Sequence, residues 1–296
     1  MRRAAAEIQD GTYREASSDL EIGSVLDAFA GENIDLLVVV GGDGTVHATL
    51  NHIFGSRPFA KLPLLTVIPG GTTNMTAYDL GLRGNPDRAL VSLKRQLQKS
   101  ISSATKSRRI LRIEQQGSTA LYGMFFGAGI IAGGVRDFTP RVQQMGIDGE
   151  MASGIETIRY LLGQLLGRTG RSLSPVEVSI RENESEVRSG KFLLVFATAL
   201  DRLLLGMRPY WGQEESPIHV TLVRQPPQRL WRSLPSLLTG HGTRLKEEHG
   251  YHSRNLRTVE LDMEGDFVID GELYRADNKC GPVRISTVGP VRFLLY

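Results

Sequence analysis

The chain has one cysteine, Cys280, among 296 residues. That excludes an internal disulfide and any cysteine-based metal site, and makes a reducing compartment the default. Charge of one sign is also scarce. There are 35 basic against 32 acidic residues, a formal charge of +3, and the sequence pI is near 9.0. This excess is too small to imply nucleic acid, though it suits contact with an anionic membrane surface. Long apolar runs are missing: the longest, Leu121 to Gly134, is glycine-rich and too short to span a bilayer. The opening MRRAAAEIQDG has basic residues but no apolar centre, so it does not read as a secretory signal. There is no nucleophile elbow for a Ser-His-Asp enzyme and no internal repeat. A cytoplasmic protein of one large or two ordinary domains is expected, with 41% apolar residues to build its core.

The stretch Leu36 to Phe54, LLVVVGGDGTVHATLNHIF, organises the rest. Its five leading apolar residues read as a strand buried on both faces, as in a parallel sheet. Gly41, Gly42, Asp43, Gly44 and Thr45 follow, and then a helical pattern begins. Strand, glycine loop, helix is the recipe for a phosphate site: glycines admit the anion, and the N–H groups of the helix start point at it. Thr45 is placed to cap that helix. A carboxylate at Asp43 is repelled by phosphates unless a cation intervenes, so it suggests a Mg²⁺-nucleotide or a hydroxyl that must lose a proton. No Lys-Ser/Thr follows, so this is not a P-loop, and His47 stands where a dinucleotide fingerprint wants Gly or Ala. A tight strand-to-helix turn is the bland alternative, and His47 reads as a surface helix residue.

The arrangement occurs twice. Leu64 to Ile68 is a second strand, running into Pro69-Gly70-Gly71-Thr72-Thr73-Asn74 and a short helix that ends at Gly81. Two such loops at the carboxyl ends of parallel strands would face one crevice. Helices are also expected over Asp19 to Ala30 and from Asn85-Pro86 through Leu97. Beyond residue 105 the pattern turns to strands, with a hairpin at Gln115-Gln116-Gly117-Ser118, a helix at Ile155 to Leu166 and another over Pro227 to Leu238. Alternation in Val176, Val178, Ile180 and in Ile218, Val220, Leu222 indicates antiparallel sheet with one wet face. Near the C-terminus, DFVIDGELY sets Asp270 and Glu272 about Gly271, which alone reads best as a hairpin turn. His241, His249 and His252 lack metal-ligand regularity and read as solvated, and the acidic run Glu182 to Glu186 reads as a hairpin tip.

Taken in order, Gly41-Gly42-Asp43-Gly44-Thr45, Pro69-x-Gly71-Thr72-x-Asn74-x-x-Ala77 with Leu80-Gly81-Leu82, and Asp270-Gly271-Glu272 resemble the diacylglycerol kinase catalytic-domain family, which includes bacterial lipid kinases and sphingosine kinases. The resemblance implies an α/β N-terminal nucleotide-binding domain followed by a mostly antiparallel β-sandwich C-terminal domain that receives the lipid. The domains expected are 1–105, completed by 289–296, and 106–288. It also implies ATP and Mg²⁺ as cofactors. Nucleotide binding falls to Gly41, Gly42, Asp43, Gly44, Thr45, Gly71, Thr72 and Asn74, and catalysis to Asp270, Glu272 and Asp43. The family's opening strand and Asn-Pro-x-Ser-Gly loop are lacking, so that strand is expected to be missing. At Arg208 to Val220, Glu215-Ser216 stands where the family often has an Asp-Gly turn holding a structural Mg²⁺, which makes Glu215 the candidate ligand.

The function expected is transfer of the γ-phosphoryl group to a hydroxyl of a diacylglycerol-like or sphingoid lipid, in phospholipid biosynthesis. The alternatives are an NAD kinase-like enzyme and a nucleotide- or lipid-binding protein without turnover. The partner is a lipid at the inner membrane face, with Lys106, Arg108 and Arg109 as candidate docking residues; no nucleic acid is expected, and homodimerisation is left open.

Overall fold

The computed structural model describes residues 11–71, 73–99, 104–136, 175–183, 186–241 and 245–296. Thr72, Glu184, Ser185 and the helix expected at Ile155 to Leu166 lie outside them. The chain divides into two units, 1–109 with 202–206 and 289–296, and 110–201 with 207–288.

The first unit is α/β. Strands β1 (Leu36–Gly41) and β2 (Leu64–Pro69) pair in parallel from Leu36↔Leu64 to Gly41↔Pro69. The last residues of the chain join them: β13 (Val283–Leu294) pairs β2 in parallel at Phe293↔Leu65. Buried Thr66 donates its hydroxyl to Leu294 O at 2.8 Å. Among its described residues are the helices α1 (Asp19–Gly31), α2 (Asp43–Gly55), α3 (Met75–Leu80) and α4 (Pro86–Leu97). Ser18 caps α1 and Asn85 caps α4, and α4 buries Ala89, Leu90 and Leu93 against Ile68 and Leu294. β1 is not buried on both faces as expected. Leu37 and Val39 are buried, while Leu36, Val38 and Val40 are half-buried on the α4 side.

The second unit is β-rich and largely antiparallel. Its centre is β7 (Glu186–Thr198), which pairs with β6 (Val176–Glu182) along its first half and β5 (Phe125–Gly129) along its second. A register shift between Phe192 and Leu194 accompanies its pairing with β8 (Ile218–Arg224), and β8 pairs with β9 (Tyr251–Leu256). β10 (Val259–Met263) pairs β6, and β5 pairs β11 (Gly265–Ile269), which turns into β12 (Glu272–Ala276). β3 (Thr105–Glu114) and β4 (Leu121–Gly123) form the expected hairpin, with Gly117 at φ 81° in its turn. One core of Leu111, Phe126, Val195, Val220, Leu222 and Ile269 joins these strands. A last helix, α5 (Leu230–Thr239), follows β8. No helix among the described residues is long and apolar enough to cross a membrane.

Candidate active site

In the first unit, the two glycine loops leave the ends of β1 and β2 side by side. Gly70 N–H donates to Gly41 O at 3.0 Å. A Cβ on Gly42 would sit 3.0 Å from Gly71 Cα, and one on Gly71 would collide with Gly42 Cα. The glycines face each other because two backbones meet there with no room for a side chain.

Asp43 locks the pair. It is the first residue of α2 and is buried. Its Oδ2 accepts from Thr73 Oγ1 at 2.6 Å and Met75 N–H at 2.9 Å, and its Oδ1 from Thr76 N–H at 3.2 Å. A carboxylate of the first loop thus sits at the start of α3, beyond the second, where the helix dipole favours negative charge. This accounts for an acid in the glycine loop without requiring a cation beside it. Asn74 closes the second loop from within. Its Oδ1 accepts from Gly71 N–H at 2.9 Å, and its amide donates to Gly71 O. It does so at φ 45°, a left-handed conformation that asparagine tolerates.

Thr45 is not the cap. Gly42 holds the N-cap position and the first helical bond runs from Val46 N–H to Gly42 O at 3.1 Å, so the helix begins two residues before Thr45. The Thr45 side chain instead lies over Gly41, its Oγ1 2.5 Å from where a Cβ would stand. A helix start leaves its first N–H groups outside its own ladder, which makes the backbone of Gly44 and Thr45 a source of anion donors. His47 is buried rather than on the surface, its Nε2 3.2 Å from Asn51 Nδ2. Two of the three candidate docking cations are engaged elsewhere. Arg108 Nε donates to buried Asp79 Oδ2 at 2.6 Å and Lys106 Nζ to Asp79 O at 2.8 Å.

In the second unit, Asp270-Gly271 is a two-residue turn with φ of 50° and 99°, the positive pair that a type I′ hairpin needs. Ile269 and Glu272 are register partners, so strand alternation does not carry Asp270 and Glu272 to one side as expected. Their environments differ instead. Asp270 is buried; its Oδ1 accepts from Met124 N–H at 3.0 Å and Phe125 N–H at 2.9 Å, and its own N–H donates to Phe125 O at 3.0 Å. Gly123 makes room for it, since a Cβ there would lie 2.5 Å from Asp270 Oδ2. Glu272 is exposed.

Glu215 is exposed, while its neighbour Glu214 is engaged. Glu214 Oε2 accepts from Asn255 N–H at 2.8 Å and Oε1 from Arg254 Nε at 3.2 Å. Partial burial pushes the Glu214 carboxyl up, but these donors outweigh it and hold it below the usual range. Among the described residues no three His, Cys, Asp or Glu side chains gather to hold a metal.

The histidine reading also needs correction. His252 lies on β9 and is buried, with Nε2 2.9 Å from Glu182 Oε1 and Nδ1 2.6 Å from Glu247 Oε1. Glu182 closes the β6–β7 ladder but is itself buried, and Arg254 Nη1 reaches its Oε2 at 3.2 Å. Desolvation raises the Glu182 carboxyl; His252, Arg254 and Arg188 together pull it below its ordinary value.

Residues 5–105 match the family model described as "Diacylglycerol kinase catalytic domain". No curated protein sequence matches the chain. A solved structure from Bacillus anthracis str. Sterne named as a diacylglycerol kinase is 14% identical, with TM-score 0.63, covering 100% of this chain and 91% of its own. Another from the same organism, named as a candidate diacylglycerol kinase, is 18% identical, with TM-score 0.65, covering 95% of this chain and 83% of its own. These likenesses show the fold, an α/β unit followed by a largely antiparallel β-rich one. The motif resemblance and the family match agree over residues 5–105, where the chain is similar to the diacylglycerol kinase catalytic domain.

Proposed function

We propose that the protein is a lipid kinase, transferring the γ-phosphoryl group of ATP to a hydroxyl of a diacylglycerol-like or sphingoid lipid. The observation that carries this reading is the pair of glycine loops at the ends of β1 and β2, in backbone contact and fixed by Asp43. The backbone N–H groups of Gly44 and Thr45 bind phosphate oxygens, Gly41, Gly42 and Gly71 keep side chains out of the cradle, and Asn74 holds its second wall. Thr72 is assigned to the nucleotide by resemblance alone. Mg²⁺ enters with the nucleotide as part of the substrate.

The lipid hydroxyl oxygen attacks the γ-phosphorus, the bond to the β-phosphate oxygen breaks, and ADP leaves. The hydroxyl proton goes to a carboxylate. Glu272 is the accessible acid of its pair and takes the proton. Asp270, bonded to the Met124 and Phe125 N–H groups, shapes the turn that presents it. The protein acts at the inner face of a membrane, where its substrate resides. Incubation with γ-labelled ATP and either a total lipid extract or NAD tests the reading. Label in phospholipid supports it; label in NAD, or in neither, removes it.

A further inference from the structure

From Arg224 to Lys246 the chain carries five basic residues (Arg224, Arg229, Arg232, Arg244 and Lys246) and no acidic one. Helix α5 occupies the middle of this segment, in the second unit. One line of α5, Leu230, Leu234 and Leu237, packs with Leu193, Val223 and Tyr251. Beside it, Trp231, Pro235 and Leu238 follow at helical spacing. Trp231 is 50% exposed, Pro235 is exposed, and Leu234 and Leu238 are half-buried. Arg229 and Arg232, both exposed, stand on either side of Trp231 in the sequence.

This face is firmly held. Gln228 N–H donates to His249 O at 3.1 Å, Tyr251 hydroxyl to Gln228 O at 2.9 Å, and Arg208 N–H to Leu238 O at 3.0 Å. A large exposed aromatic between arginines, on an anchored helix without acids, has the chemistry of an interfacial anchor. The indole settles at headgroup depth, and the guanidinium groups meet lipid phosphates.

We propose that α5 is the membrane-docking face of the protein, seating Trp231, Arg229 and Arg232 on an anionic bilayer. The proposal rests on the lipid-substrate reading for its purpose, but its test needs no catalysis. The full chain is sedimented without nucleotide with vesicles of phosphatidylcholine, with or without phosphatidylglycerol. Binding is expected only to the anionic vesicles and weakens as salt rises. Arg229→Gln and Arg232→Gln each lower the partition constant about fivefold, the equivalent of roughly 1 kcal/mol per basic residue at the surface. Lys61→Gln, in the first unit, leaves it unchanged. In a Trp211→Phe background Trp231 is the sole tryptophan, and its emission shifts to the blue on anionic vesicles. Unmoved emission overturns the proposal. So does an Arg229→Gln/Arg232→Gln variant that binds like wild type, or a chain that ignores vesicles while binding a DNA duplex. Turnover of micellar dioctanoylglycerol separates the two readings. Vesicle binding without turnover sinks the kinase reading alone, and turnover without Arg-dependent vesicle binding sinks the docking face alone.

Discussion

Replacing Asp43 by Asn tests whether its carboxylate acts on the protein or on substrate. The wild-type side chain satisfies three donors, Thr73 Oγ1, Met75 N–H and Thr76 N–H, in a buried setting. Asparagine keeps one oxygen but turns an amide NH₂ toward the remaining donors, and it removes the charge from every bond. A hydrogen bond to a charged group contributes about 1.5–3 kcal/mol, and a carboxylate at a helix start adds about 0.3–1 kcal/mol. One bond lost outright, with the others weakened, gives a destabilisation of about 2–4 kcal/mol. For a unit of this size that lowers Tm by roughly 8–16 °C. Because the same bonds hold the glycine loops together, ATP affinity measured by titration calorimetry is expected to fall alongside. Unfolding by heat and by urea supplies the stability. A variant with wild-type Tm and ATP affinity but a collapsed catalytic rate would refute this reasoning, placing the carboxylate on the reacting groups.

The loops themselves give a second expectation. Gly71→Ala forces the Gly42 backbone away and is expected to abolish ATP binding, whereas Gly55→Ala, with nothing near its added methyl, leaves it intact. Gly42→Asp adds a charge to the cradle as well as the Gly71 collision, so it should lose activity together with some stability. Asp270→Asn is expected to lower Tm through the Met124 and Phe125 N–H bonds, while Glu272→Gln keeps Tm and cuts the single-turnover rate by about 10²–10⁴-fold. Equal effects of the two substitutions on Tm would contradict the division between them. For Glu182, whose folded carboxyl lies below its ordinary 4.5, the stabilisation is present above that value and lost as pH falls through the lower folded pKa. Thermal unfolding of wild type should therefore drop more steeply below pH 4.5 than that of Glu182→Gln, and parallel curves would count against it.

Local chemistry made the first unit legible. Strands β1 and β2, their glycine loops and the helices after them were each written in a few consecutive residues, and the cap at Asn85 is a side-chain property. Asp43 was visible as an anomaly, but its partners lie some thirty residues away on the second loop, so only the parallel register of β1 and β2 reveals its role. His252 and Glu182 were hidden for the same reason: seventy residues separate them, and each alone looks like a surface polar residue. β9, YHSRNL, has too few apolar residues to read as a strand and is set by its pairing with β8. The Asp270-Gly271 turn was foreseen, yet which of its two acids is buried depends on Gly123 and the β4–β5 backbone.

The central claim is that the paired loops hold a nucleotide whose phosphoryl group goes to a lipid hydroxyl. Its most direct measurement is a single-turnover assay of wild type and Glu272→Gln with γ-labelled ATP, Mg²⁺ and dioctanoylglycerol. The account predicts labelled phosphatidic acid from wild type, formed about 10²–10⁴-fold more slowly by the variant at equal ATP affinity. ATP bound by both proteins with no labelled lipid from either would contradict it.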